Sequence, residues 1–196
     1  MITSSTFNRR KFLKYTLLGV GGLAGVGAAT AAWFTSNKNQ THYKNLQVLS
    51  GHYAEVIEAL TTVILPQKPP YPTIAEAQVI QRLDEELFFV DATIQSDFKA
   101  LIYLLEGMPL AKGYFSRFSR LAINQRKKFL EEMLDTDNDL FRAAIANLRM
   151  VVRMIYFGHA ATWKIMGYEG PHGNLPEVVS EQRKYYATLT ASDTDA

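Results

Sequence analysis

From Asn138 to Phe157 the apolar residues Phe141, Ile145, Leu148, Val152 and Ile155 recur at steps of three and four. An α-helix turns once in about 3.6 residues, so this spacing lines them along one side of a helix. A helix with such a seam must lay it against neighbouring elements. Other segments repeat the pattern. Tyr53, Val56, Ile57, Leu60 and Ile64 share a face opposite Glu55, Glu58 and Thr61, and Pro66 ends that helix. No segment alternates with a period of two, and no internal repeat is visible. The expected fold is all-α, an irregular bundle of about five helices.

Punctuation sets the remaining elements. The loop "PQKPPYP" holds four of the seven prolines and must be stiff and extended. Thr73 and Glu76 form a capping box that predicts a helix from Ile74, with Ala77, Ile80, Leu83, Leu87 and Phe88 inward. A third helix is expected from Ile94 to Glu106, stopped by Gly107, with Phe98, Leu101 and Leu105 inward. Residues 108–120 read as irregular and aromatic, and Ala122–Leu134 as a fourth helix. The segment 35–50 reads as a polar tether and the segment beyond 173 as a polar tail.

The N-terminus has a different character. Arg9, Arg10, Lys11 and Lys14 precede an uncharged run from Tyr15 to Ser36 that is rich in Gly and Ala. Ala29-Thr30-Ala31 has the A-x-A form of a processing site, so the whole reads as an export signal. The order Arg9-Arg10-Lys11-Phe12-Leu13-Lys14 resembles the twin-arginine leader and departs from it only at Asn8, where Ser or Thr is usual. Cleavage after Ala31 is favoured by the glycines. Retention as an anchor stays open, because a span needs about 20 apolar residues. The expected organisation is a signal over 1–31, a linker over 32–48, a helical domain over 49–173 and a tail over 174–196.

Charge and composition exclude several functions. Of 21 Lys and Arg, the leader holds four; the 17 that remain face 19 Asp and Glu, so the rest of the chain is no polycation built for nucleic acid. Zero Cys excludes disulfides, thiolate metal sites and a Cys nucleophile. Gly19-Val20-Gly21-Gly22-Leu23-Ala24 fits the dinucleotide pattern, but no strand precedes it and the nearest acid downstream is Glu55. Glu169-Gly170-Pro171-His172 spells Glu-x-x-His, yet Gly170 and Pro171 forbid the helix a di-iron site needs. Asp135, Asp137 and Asp139 mimic a calcium loop, but Leu140 stands where Gly is needed and Ala146 where Glu is needed. No catalytic residue, metal ligand set or cofactor site is expected in this chain.

What remains suits recognition. Arg142, Arg149 and Arg153 each follow a seam position and flank the buried stripe, where they suit an acidic partner or carboxylates of this chain equally. Tyr156, Phe157, Trp163 and Tyr168 cluster after them; at least part of this cluster is expected in the core, and with the arginines it also has the composition of an interface hot spot.

Four features together resemble the gluconate 2-dehydrogenase subunit 3 family, the small subunits of flavin-dependent sugar and sugar-acid dehydrogenases. They are the twin-arginine leader, the turn Ile64-Leu65-Pro66, the segment Phe118, Leu121, Gln125, Arg126, Leu130, and an ending with Tyr156-Phe157, Trp163-Lys164, Gly167-Tyr168 and Gly170-Pro171. The resemblance covers most of Leu49–Pro171. It implies a subunit without flavin that helps fold a large FAD-bearing dehydrogenase and carries it through the twin-arginine translocase to the periplasmic face of the inner membrane. It implies, in many such complexes, a c-type cytochrome as a further subunit. The partner-binding residues expected on this reading are Arg142, Arg149, Arg153, Tyr156, Phe157, Trp163, Tyr168, Gly170 and Pro171. The alternative is a stand-alone periplasmic cofactor- or ligand-binding protein, with "PQKPPYP" and "GYEGPHG" framing a pocket.

Overall fold

The computed structural model describes residues 43, 45–49, 51–170 and 179–191, all within the compact unit Thr41–Ala196. The leader residues Arg9, Arg10, Phe12, Leu13 and Lys14, the processing residues Ala29 and Ala31, and Pro171 lie outside the described residues. Among those described there is no strand, and the fold is the all-α bundle that the apolar spacing predicts. Its helices are α1 (His52–Ile64), α2 (Val79–Phe88), α3 (Ala92–Ala111), α4 (Ile123–Leu134), α5 (Asp139–Phe157), α6 (Ala160–Trp163) and α7 (Glu181–Ala191). Short 3-10 turns occupy Phe118–Arg120 and Lys164–Met166.

α1 is the central helix and touches α2, α3, α4, α5 and the first 3-10 turn. Its buried residues therefore wrap far around the axis: Ala54, Val56, Ile57, Ala59, Leu60, Thr61 and Ile64. Thr61, expected on the wet face, is buried; its hydroxyl donates to Glu58 O at 2.6 Å and so needs no water. The helix stops at Leu65, whose φ of −110° and ψ of 153° are the extended angles that a following proline imposes.

The capping box at Thr73 forms both of its hydrogen bonds, Thr73 N to Glu76 Oε2 at 2.7 Å and Glu76 N to Thr73 Oγ1 at 3.2 Å. It holds turns rather than a helix, and α2 begins only at Val79. Ala77, Val79 and Ile80 are all fully buried, and a continuous helix would set Ala77 and Val79 on opposite sides. Gln78, at φ 48°, resets the phase so that all three face inward.

α3 runs through Gly107 and stops at Gly113, the glycine with a φ of +85°. The bonds Tyr114 N to Pro109 O (2.9 Å) and Gly113 N to Leu110 O (3.2 Å) are those of a Schellman cap. A Cβ is strained at that φ, so the stop belongs to Gly113. The inner face is Phe98, Ile102, Leu105 and Pro109, with Leu101 only half-buried.

α4 and α5 agree with their apolar patterns. The Asn138 side chain caps α5 by accepting from Leu140 N and Phe141 N at 3.1 and 3.2 Å. Arg82 of α2 donates to Ile155 O at 2.8 Å, placing a cation at the C-terminal end of α5 as the helix dipole favours. Ile145, Leu148 and Val152 of the seam are buried; Phe141 and Ile155 are half-buried.

Two expected connections are structured. Val48 and Leu49, read as part of the tether, belong to the core. The polar segment beyond 173 contains α7, which buries Tyr186. Both depend on Asp84, a fully buried carboxylate on α2. Its oxygens accept from Gln47 N (2.8 Å), Val48 N (2.9 Å), Leu49 N (2.6 Å) and the Tyr186 hydroxyl. Tyr186 also packs edge-on against Phe88, and Arg183 pairs with Glu85 at 3.3 Å.

Candidate functional site

α5 carries two faces. The inner one is the seam. The outer one bears Ala146, Arg149, Met150, Arg153, Met154 and Phe157, which line a groove of about 430 Å³. Helical geometry explains the grouping: Ala146, Met150 and Met154 are four residues apart, and so are Arg149 and Arg153. Met150 is 53% exposed and Met154 66% exposed, so two large apolar side chains stand in solvent. None of the described lining residues is a carboxylate. Burial and the neighbouring charge of Arg153 push the Arg149 guanidinium below its ordinary value, and Arg149 Nε is buried without a hydrogen-bond partner among the described residues. The site is a cationic, methionine-floored groove. It has the chemistry to bind an apolar ridge flanked by acids.

The expected partner-binding residues divide. Arg149, Arg153 and Phe157 meet in this groove. Arg142, two turns before Arg149 on α5, is engaged locally: it pairs with Asp139 and donates to Thr136 O at 2.7 Å. Tyr156 is a correction. It is fully buried, and its hydroxyl donates to Pro72 O at 2.7 Å, pinning the proline-rich loop to α5. It is a core residue because it lies on the seam side, one turn beyond Val152.

Trp163, the last residue of α6, packs on the turn that follows it, which holds Tyr168 and Gly170. The Trp163 and Tyr168 rings meet edge-on at 5.5 Å, and Tyr168 N donates to Trp163 O at 2.9 Å. Gly170 has a φ of +111°, and a Cβ there would lie 3.5 Å from the Trp163 ring. Tyr168 stays 42% exposed, while Trp163 is half-buried and Gly170 buried.

The second resemblance segment is structural as well. Phe118, Leu121 and Leu130 are core residues. Gln125 Oε1 accepts from Ala122 N at 3.2 Å at the start of α4. Arg126 donates to Phe118 O (3.2 Å), Ser119 O (2.6 Å) and Thr62 Oγ1 (3.1 Å), clamping the 3-10 turn against α1.

A buried charged cluster joins α1, α3 and the loop after α3. Glu106 accepts from Ser119 N (2.8 Å) and Ser119 Oγ (2.6 Å), and faces His52 Nε2 at 3.4 Å and Arg117 Nε at 3.3 Å. His52 Nδ1 also faces Glu55 at 3.4 Å. Burial raises the Glu106 carboxyl, but bonds from His52 and Ser119 and the charge of His52 outweigh it and hold the group below its ordinary value. This cluster lines neither the α5 groove nor the cleft described next, and its bonds tie elements together. Its histidine and carboxylate types were visible in the sequence, but their pairing across helices was not.

The proline-rich loop lines an open cleft of about 750 Å³ with Tyr43, Glu58 and Ala161. None of the described residues of "GYEGPHG" lines it. Among the described residues there is no group of three or more His, Asp or Glu able to hold a metal ion. No described helix is long and apolar enough to cross a membrane. Comparison with protein-family models, curated proteins and solved structures finds no match for this chain.

Proposed function

We propose that this chain is the non-catalytic small subunit of a flavin-dependent sugar or sugar-acid dehydrogenase. It binds the large subunit, helps it fold and escorts it through the twin-arginine translocase to the periplasmic face of the inner membrane. The observation that carries this reading is the leader Arg9-Arg10-Lys11-Phe12-Leu13-Lys14. That route moves folded proteins, and a flavoprotein must take up FAD before export, so it crosses already folded. A partner with a leader gives it passage, and the FAD sits in the partner. The arginine-rimmed groove on α5 supports the reading as a docking surface of suitable chemistry. Without Cys the docking is wholly non-covalent. A c-type cytochrome is the expected electron acceptor of the assembly.

Affinity purification of the tagged chain from its host tests this. A polypeptide carrying FAD is expected to co-elute in fixed ratio. A colourless monomer from every fraction contradicts it.

The cleft beside the proline-rich loop favours a second reading, a periplasmic ligand-binding protein. A bound small molecule in the mass spectrum of the isolated chain would support that alternative.

A further inference from the structure

We propose that the outer groove of α5 seats one amphipathic helix of the escorted polypeptide, whose apolar side chains enter between Met150 and Met154 and whose carboxylates meet Arg149 and Arg153. This rests on the escort reading and adds to it the chemistry of the docking element.

Spacing is the first reason. Ala146, Met150 and Met154 stand at four-residue steps as one open apolar row along α5, which ends beside Phe157. Such a row packs against the i, i+4 row of another helix. Methionine is unbranched and polarisable, so its floor adapts to apolar knobs of varied form.

Charge is the second reason. Arg149 and Arg153 repel one another, and neither forms an ion pair among the described residues. A carboxylate from outside reaches the exposed Arg153 guanidinium and relieves the repulsion.

Charge complementarity also selects the occupant. The chain's own leader carries Arg9, Arg10, Lys11 and Lys14 and has no acid before Glu55, so it would add repulsion. A second copy docked through the same face would oppose arginine to arginine, since a two-fold contact pairs a patch with itself. An acidic helix of another polypeptide avoids both conflicts.

The test uses the full tagged chain in its own host with two readouts. One is the flavin that co-elutes with the chain. The other is photo-crosslinking from a benzophenone amino acid placed at Met154 in the otherwise unaltered chain, with the crosslinked peptide mapped by mass spectrometry. Arg149→Glu combined with Arg153→Glu is expected to lower co-eluting flavin at least about tenfold. Arg149→Lys with Arg153→Lys is expected to retain most of it. The crosslink is expected on a helix-length flavoprotein segment with acids three or four apart beside apolar residues. Undiminished flavin after charge reversal overturns the groove and leaves the escort reading standing. So does a crosslink to lipid, to a second copy, or to this chain's own residues 171–178 or 192–196. If the unaltered chain brings down no flavin, the escort reading itself fails, and the groove proposal with it. Circular dichroism of the charge-reversed chain separates lost docking from lost folding, and the crosslink stands independently of that variant.

Discussion

At Asp84 one carboxylate holds together parts of the chain more than 100 residues apart: Gln47, Val48 and Leu49 on one side and Tyr186 on the other, the latter 102 positions away. Three consecutive backbone N–H groups have no other destination among these bonds, so the acid replaces water for them. Burial and the bond to Asp84 push the Tyr186 hydroxyl far above its ordinary value, which keeps it a donor at every physiological pH. Asp84→Ala strips four donors of their acceptor and is expected to cost ~3 kcal/mol or more, read as a lower urea midpoint. Tyr186→Phe removes one donor and is expected to cost ~1 kcal/mol. Equal costs for the two would contradict the hub. Glu106 gives a pH dependence. Its folded carboxyl lies below the ordinary value of 4.5, so the unfolded chain binds the proton first and stability is lost as pH falls from about that value. The groups facing it are His52 with Glu55 behind, Arg117, Ser119 and the charge of Arg126. Glu106→Gln is expected to flatten the acid side of the stability profile, measured as denaturation midpoint against pH. An unchanged slope would assign acid unfolding to other carboxylates.

Among the elements, α5 shows what periodicity reveals and what it hides. The seam at Ile145, Leu148 and Val152 was legible because burial selects one phase of a 3.6-residue repeat. The outer row Ala146, Met150, Met154 repeats just as regularly, but between Arg149 and Arg153 its apolar signal is diluted. The signal that finds it is a second apolar row at four-residue steps on an otherwise charged face. Helix ends were less legible. A capping box at Thr73 and a glycine at Gly107 are local signals, whereas the true boundaries come from the simultaneous burial of Ala77 and Val79 and from the left-handed residue Gly113. α7 is not legible in the sequence because its only buried residue is Tyr186, and one aromatic in a polar run carries no period. Removing α7 by a stop codon after Ser180 deletes the Tyr186 bond and its packing on Phe88. The expected loss is about 2 kcal/mol, visible as a lowered melting midpoint by circular dichroism, and an unchanged midpoint would make α7 an ornament. Gly170→Ala forces a side chain to φ +111° against the Trp163 ring. It is expected to cost ~1–3 kcal/mol and to alter near-ultraviolet dichroism around Trp163. A spectrum identical to the parent chain would show that the turn relaxes freely.

At the scale of the whole molecule, the residues that carry the family resemblance do different work. Phe118, Leu121, Arg126 and Leu130 hold the bundle together, Tyr156 ties the proline-rich loop to α5, and Gly170 takes the left-handed φ of +111° beside Trp163. Of the expected partner-binding residues, Arg149, Arg153 and Phe157 share one groove, while Tyr168 is exposed on the neighbouring turn. Sequence pattern reached the arginines because charge beside a seam is visible in one dimension. It could not sort Tyr156 from Phe157, since adjacent residues on a helix point about 100° apart and only packing decides which is enclosed. The function we propose is that this bundle ferries a folded flavoprotein under a leader the flavoprotein lacks. Its most direct measurement is the location of that flavoprotein in cells carrying Arg9→Lys with Arg10→Lys, followed by fractionation and flavin assay of the periplasm. The escort function predicts that this chain and the flavoprotein are retained in the cytoplasm together. A flavoprotein that still reaches the periplasm while this chain stays behind would contradict it.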